Sequence, residues 1–325
     1  MTAADARAFW ISAPGHGELR AETLSPPGQN DVVVRALFSG ISRGTEALVF
    51  QGRVPPAEHQ RMRAPFQAGQ FPAPVKYGYA SVGEVERGPH DLEGRRVFVL
   101  YPHQTRYCVP AAAVHVLPDS LPAGRAVLAA NLETAINGVW DARLQPGDRV
   151  AVIGAGTVGS LVAWLAGKIP GCRVELVDVN PKRAATARAL GVRFAGPTAA
   201  SADADVVVHS SGSASGLELA LNIAGFESTV IEMSWYGDGT IPVALGGGFH
   251  AKRLTVKSSQ VGHVAASQRS RWDTRRRMRF ALELLADPAL DALITDESDF
   301  ESLPAVMARL ASTPGDTICH RIRYR

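Results

Sequence analysis

Cysteine is scarce in this chain: Cys108, Cys172 and Cys319 are the three in 325 residues. An odd number at such wide separations draws neither a disulfide framework nor a cysteine-rich zinc lobe, so the thiols are expected to be reduced and structural. Excess charge is also lacking: 34 basic against 31 acidic residues leave +3. That provides no basic face for a phosphate backbone and speaks against nucleic acid as a partner. No apolar run is long enough to span a bilayer, and the opening residues Met1 to Arg7 lack the apolar core of a signal peptide. A cytoplasmic protein with no membrane partner is the expectation. What the chain does have is apolar residue, 46%, enough at this length for two cores.

The pattern of those residues changes along the chain. The first part reads as short β segments, clearest at 31–39 and 81–86, punctuated by Pro26-Pro27-Gly28, Gly40, Gly44 and Pro118. From about Ala123 strands and helices alternate: strands near Arg149, Arg173, 206–209, 228–233 and 254–259, with helices at 157–167, 181–190 and 216–223 between them. Alternation of this kind implies a parallel sheet covered on both faces. The expected fold class is α/β, a doubly wound parallel sheet plus a β-rich barrel-like domain. The division is placed at 1–122 for the β-rich domain, with 288–325 returning to it, and 123–287 for the parallel one. Residues 52–76, rich in proline and without periodicity, read as a substrate-side loop. Residues 269–279 carry a run of arginines, read as a solvated helix face.

One segment carries chemistry directly. Gly154, Ala155, Gly156, Thr157, Val158 and Gly159 spell GxGxxG between an apolar strand and a helix, and Asp178 ends the next apolar run. The glycines permit a tight turn and close approach to a pyrophosphate, and the helix start offers unpaired N–H groups and a positive dipole end. A carboxylate at Asp178 can accept from both ribose hydroxyls, while repelling a 2′-phosphate. NAD(H) is therefore preferred, with NADP(H) possible because Lys182 and Arg183 lie close by. A glycine turn that only packs helix on strand is the alternative.

With the β-rich part first, this fingerprint in mid-chain and a return at the end, the sequence resembles the medium-chain dehydrogenase/reductase superfamily over essentially its whole length. Gly40-Ile41-Ser42-Arg43-Gly44-Thr45-Glu46 sits where its alcohol dehydrogenases carry G-x-C-x-T-D, and Gly78-Tyr79-Ala80-Ser81-Val82-Gly83 where they carry G-H-E-x-x-G. Thr134-Ala135 matches the pair near the nicotinamide, and Gln145-Pro146-Gly147-Asp148 the turn into the first dinucleotide-binding strand. The resemblance implies a GroES-like catalytic domain, a Rossmann domain and a homodimer. The string through Gly52-Arg53-Val54-Pro55-Pro56 and the G-Y-x-S-V-G segment is similar to the branch containing bacteriochlorophyllide hydroxyethyl dehydrogenase. That closer match covers mainly residues 38–86, and the pigment is not carried over.

Zinc members of the superfamily hold their metal at positions that here carry Ser42, Tyr79 and the pair Ala130/Asn131. A neutral hydroxyl, a phenol and an alkyl or amide group are poor zinc ligands, so the chain resembles a member without zinc. The resemblance sets Ser42 and Tyr79 facing the nicotinamide, with Tyr79 either bonded to the substrate oxygen or serving as a packing aromatic. Thr45 is a hydroxyl donor or a turn residue. Glu46 either orients its neighbours or pairs with Arg43. His103 is a proton relay or a satisfied surface histidine. Glu133 is a cleft acid or a helix-start charge. Asn180 and Arg183 match ribose-lining positions, Ser210-Ser211-Gly212 the backbone that passes the cofactor, and Trp235 and Tyr236 wall a pocket or pack an interface. The expected activity is zinc-independent hydride transfer between nicotinamide and a small-molecule apolar secondary alcohol/ketone or aldehyde. A quinone or enone reductase, and a nucleotide-binding protein without turnover, are the alternatives.

Overall fold

The computed structural model describes residues 5–313 and 315–325, so the first four residues of the N-terminal reading lie outside the described residues. The chain divides into two compact units: residues 1–130, 282–288 and 294–325, and residues 131–281 and 289–293. The first division falls between 130 and 131 where the sequence suggests 122 and 123. Packing is the reason. Ala126, Val127 and Leu128 are fully buried, and Val127 lies so close to Gly40 that an added Cβ there would come within 2.9 Å of its carbonyl oxygen.

The first unit is built on strands β1 (Asp5–Ala13), β2 (His16–Thr23), β3 (Asp31–Ile41), β4 (Ala68–Gly69), β5 (Val75–Lys76), β6 (Ser81–Arg87), β7 (Arg96–Val99), β8 (Arg106–Pro110) and β9 (His115–Val116). Helix α1 (Arg43–Phe50) follows β3. Strands β16 (Ile294–Asp299) and β17 (Cys319–Arg323) and helix α7 (Leu303–Ser312) come from the end of the chain. Strand β3 organises the unit. Val32, Val34 and Ala36 alternate inward, and their side of the sheet closes over Val85, Val97, Tyr101, Tyr107 and Val109. On its other edge β17 lies antiparallel, pairing Ile322 with Ser39, which brings the last residues of the chain against the middle of β3. The proline-rich stretch is pinned at its far end: Val75 pairs with Ile11, and the Arg63 guanidinium donates to the carbonyls of Gln67 at 2.9 Å and Gly69 at 3.1 Å.

The second unit holds a six-stranded parallel sheet in the order β12-β11-β10-β13-β14-β15. Its strands are β10 (Arg149–Ile153), β11 (Arg173–Val177), β12 (Arg193–Ala195), β13 (Ala204–His209), β14 (Ala224–Glu232) and β15 (Thr255–Ser258). Helices α2 (Ala129–Ala142), α3 (Thr157–Gly167), α4 (Arg183–Ala189), α5 (Ala214–Ile223) and α6 (Thr274–Leu284) complete it. The near-continuous Val, Ile and Leu of the central strands are what a sheet buried on both faces requires. The order runs outward in both directions from β10, so the switch point lies between β10 and β13, where a parallel α/β sheet takes its ligand. Register fixes which residues emerge there: Ile153 stands level with Val177 and with His209, and His209 with Glu232.

Candidate functional site

In the second unit, the turn leaving β10 begins at Gly154, whose φ of +102° lies in the region open to glycine, and an added Cβ would stand 2.7 Å from the Ser211 backbone. A Cβ on Gly159 would collide with the Gly154 carbonyl and with Ser210 Oγ. Gly156 is the N-cap of α3 and, having no side chain, contributes no side-chain cap. The start of this helix is therefore shaped for an anion to reach backbone N–H groups. Asp178 stands beside it, accepting from Ala155 N–H at 2.7 Å and Asn180 N–H at 2.8 Å. A carboxylate has about four lone-pair positions, so two remain for ligand hydroxyls. Asn180 Oδ1 accepts from Lys182 N–H at 3.0 Å, Arg183 is buried at the start of α4, and Thr157 and Val158 are half-buried in the first turn of α3. Thr134 is half-buried on α2.

The loop after β13 closes on the same turn. Ser210 donates through N–H to the Ile153 carbonyl at 2.8 Å and through Oγ to the Gly154 carbonyl at 3.1 Å. Ser211 is exposed beside it, and Gly212 has φ +67°. Sequence reading missed what lies beneath. His209, wholly buried, is 2.7 Å from Glu232 Oε2 through Nδ1 and 2.6 Å from Ser211 Oγ through Nε2. Glu232 also accepts from Ser234 N–H at 2.7 Å and from the Tyr236 hydroxyl at 3.0 Å. The available signal was positional: both residues end neighbouring apolar runs, and parallel pairing sets strand ends side by side. Tyr236 is thus tied to Glu232 within the same unit.

Two expectations are corrected on α2 and α6. Glu133 does not act as a helix-start charge, for it is buried and bonded to Arg277 Nε at 3.0 Å. Arg277 is likewise buried, so the basic run is not uniformly solvated. Its helix turns one arginine inward while Arg275, Arg276 and Arg279 stay exposed. A depression of about 390 Å³ opens at the opposite end of the strands, among the strand starts Arg149, Arg173 and Arg193, away from the glycine turn.

In the first unit the five residues singled out for chemistry converge. Ser42 is the N-cap of α1, and its N–H donates to Glu46 Oε1 at 2.7 Å, an anion at a helix start where the dipole favours it. Glu46 Oε2 is 2.9 Å from His103 Nε2, and His103 Nδ1 is 2.7 Å from Ser39 Oγ, itself 2.9 Å from the Tyr324 hydroxyl. His103 is 1% exposed, which corrects the surface-histidine reading. It packs beneath the backbone of Gly78, whose φ is +134° and where an added Cβ would stand 3.0 Å from the ring, a strained and tight fit. The next residue is Tyr79, hydrogen-bonded to Ser42 and Thr45. Burial, with the Glu46 charge adding to it, pushes the Tyr79 phenol up to about 12, against the pull of those two hydrogen bonds. The phenol therefore stays protonated across ordinary pH and acts as a donor. Cys319, fully buried, is raised to about 12 by burial and Glu46.

The residues fit a dinucleotide better than a metal. The glycine turn, the start of α3 and Asp178 suit a pyrophosphate and a ribose, whereas the hydroxyl of Ser42 and a phenol that stays protonated do not suit zinc. Among the described residues, no three His, Cys, Asp or Glu side chains gather to hold a metal ion. Nor is any helix among them long and apolar enough to cross a membrane.

No family model matches the chain. A zinc-type alcohol dehydrogenase-like protein of Haemophilus influenzae is 26% identical over 220 residues, 63% of this chain and 60% of that protein. The 2-desacetyl-2-hydroxyethyl bacteriochlorophyllide A dehydrogenase of Rhodobacter capsulatus is 30% identical over 181 residues, 49% of this chain and 52% of that protein. The match thus spans between half and two thirds of these relatives' length. Among solved structures, a zinc-binding dehydrogenase of Sinorhizobium meliloti 1021 bound to NADP superimposes with a TM-score of 0.78 at 18% identity, covering 98% of this chain and 99% of that one. Likeness at this identity establishes the fold: a GroES-like β unit and a Rossmann unit, as in the alcohol dehydrogenase-like enzymes.

Proposed function

We propose that this chain, having the fold of the alcohol dehydrogenase-like oxidoreductases, is a nicotinamide-dependent dehydrogenase/reductase that works without zinc on a secondary alcohol/ketone or aldehyde of apolar character. The observation that carries the reading is the pairing of capacities in one chain: a glycine turn with Asp178 beside it, and a protonated Tyr79 held by Ser42 and Thr45.

The nicotinamide, when bound, gives or takes the hydride. The protein's own residues do the rest. Gly154, Gly156 and Gly159 let the backbone approach the pyrophosphate. Asp178 accepts from the adenosine ribose hydroxyls, which favours NAD(H), with NADP(H) tolerated near Lys182 and Arg183. Thr134, Ser211 and Gly212 would line the nicotinamide half, as the resemblance implies. In carbonyl reduction the substrate oxygen gains negative charge and must take a proton. Tyr79 O–H supplies it: an alkoxide is a stronger base than phenolate, so the proton moves downhill even from a phenol at about 12. Ser42 and Thr45 orient that hydroxyl, and the Glu46–His103 pair fixes the helix start on which both sit. Such positioned proton transfer is worth about 10² to 10⁴ in rate.

NADH and NADPH turnover against ketones, aldehydes, quinones and enones, and NAD turnover against alcohols, test the reading. Oxidation of NADH by ketones or aldehydes is the expected result. Turnover of quinones or enones alone would replace the proposal with the conjugated-carbonyl alternative, and binding without turnover on any acceptor would overturn it. The protein is further proposed to act in the cytoplasm as a homodimer.

A further inference from the structure

Tyr77 and Tyr79 stand on either side of Gly78 in the segment between β5 and β6, and the proton transfer just described uses only Tyr79. The Tyr77 ring is held from both sides: it meets Phe71 at 5.7 Å between centroids and Tyr79 edge-on at 5.9 Å and 85°. Beyond Phe71 the His59 ring follows at 5.6 Å. The proline-rich stretch thus supplies the outer part of an aromatic row that ends at the proton donor. Only 4% of Tyr77 is exposed.

A phenol packed this deeply normally finds a hydrogen-bond partner. The Tyr77 hydroxyl has none among the described residues. The side-chain atoms that are both wholly buried and without a partner belong to Gln67, Ser160 and Trp164, so the small exposed part of Tyr77 includes its oxygen. Burial, with Tyr79 and Glu46 adding to it, pushes this phenol well above its ordinary value, and it therefore keeps its hydrogen. Glu46 bears on both phenols and lies on α1, the helix whose Ser42 and Thr45 hold the Tyr79 hydroxyl. The two hydroxyls accordingly share the start of α1. Ser42 and Thr45 pull the Tyr79 value down, as donors to its oxygen do, which leaves the Tyr79 hydrogen uncommitted as well.

We propose that Tyr77 is a second catalytic residue, donating a hydrogen bond to the same substrate oxygen that Tyr79 protonates. This rests on the dehydrogenase/reductase reading above. A carbonyl oxygen has lone pairs enough for two donors. In the reducing step the carbonyl carbon takes the hydride, its C=O π pair moves to oxygen, the Tyr79 proton ends on that oxygen, and Tyr77 keeps its own. The Tyr77 hydrogen bond strengthens as charge grows on the oxygen, which is what lowers a barrier instead of only tightening binding. Where the residues do not suit zinc, a protonated phenol takes over part of the charge stabilisation that a metal ion gives.

Tyr77→Phe keeps the ring between Phe71 and Tyr79 and removes only a hydroxyl that holds nothing in the fold. With NADH and a ketone or aldehyde acceptor, kcat should fall by about 10² to 10³, the loss of one donor to a developing oxyanion, with NADH affinity and melting temperature unchanged. Binding is read separately with a carboxamide analogue of that acceptor, whose oxygen accepts the same hydrogen bonds but takes no hydride. In the presence of NADH, Tyr77→Phe should weaken it by about threefold to tenfold, the share of one net hydrogen bond. Unchanged kcat and carboxamide affinity would overturn the proposal and leave the role of Tyr79 standing. So would losses that appear only as lower melting temperature or NADH affinity, which would make Tyr77 a packing residue. A loss confined to acceptors carrying a second oxygen beside the carbonyl would put the hydrogen bond on that oxygen and equally overturn the assignment. If the unmodified protein reduces no carbonyl compound, the dehydrogenase/reductase reading itself fails, and this proposal with it.

Discussion

Replacing Arg277 with leucine should be among the most damaging single changes in the second unit, although the residue sits in a run of surface arginines. Its guanidinium meets Glu133 at 3.0 Å, Asn137 Oδ1 at 2.6 Å and the Val261 carbonyl at 2.6 Å. Arg277 and Glu133 are exposed by only 1% and 5%, so water cannot replace the lost partner. Stranding one member of a buried pair costs about 3–5 kcal/mol, against about 0–1 for an exposed pair. Burial raises the Glu133 carboxyl above its ordinary range even with Arg277 opposing that shift. The folded state therefore binds more protons than the unfolded state between the ordinary carboxylate range and the raised folded value. Stability falls as pH rises through that window. Without Arg277 the carboxyl should rise further, so the variant should be weakest near neutrality and partly rescued in acid. Urea unfolding followed by tryptophan fluorescence reads this unit directly, since Trp140 and Trp272 pack with ring centroids 4.9 Å apart. Adding Glu133→Leu should restore most of the loss. A cost below about 1 kcal/mol, or one that Glu133→Leu leaves untouched, would refute the reasoning.

Four further outcomes are expected. Asp178→Ser should narrow the preference for NAD over NADP, measured as the ratio of their kcat/KM values, because the carboxylate that would repel a 2′-phosphate is gone. Tyr79→Phe should lower kcat by about 10² to 10⁴ with little change in NADH affinity. The unmodified rate should show no inflection from this phenol below about pH 10, since its value lies near 12. Ser160→Ala should raise the melting temperature: its hydroxyl is buried in α3 with no partner, and alanine removes that burden while gaining about 0.5 kcal/mol of helix propensity.

What could be read from the sequence was what is local or strictly periodic. The glycine turn and Asp178 lie within one strand–helix–strand unit, whose two parallel strands set the turn beside the carboxylate, so their association follows from spacing within that unit. The parallel sheet was legible for the same reason. Contacts made by register or by the return of the chain were not. His209 and Glu232 meet only because β13 and β14 pair in parallel, and Ser39 meets Tyr324 only because β17 lies on β3. His103 comes from a loop with no apolar pattern, and nothing near it in sequence predicts that Gly78 leaves space for its ring. Arg277 was misread because a charge run predicts solvent for every member, while helix geometry turns one in every few inward. The unit boundary moved for a similar cause, as Val127 belongs to whichever strand it packs on.

The central claim, that hydride passes between a bound nicotinamide and a carbonyl carbon without zinc, is tested most directly by isotope tracing. Protein dialysed against a chelator and checked by elemental analysis is given NADH deuterated at C4 with a ketone substrate found in the acceptor panel. The account predicts deuterium on the carbinol carbon of the product at the full rate with no metal added. Transfer that stops on dialysis and returns only with stoichiometric zinc would contradict it.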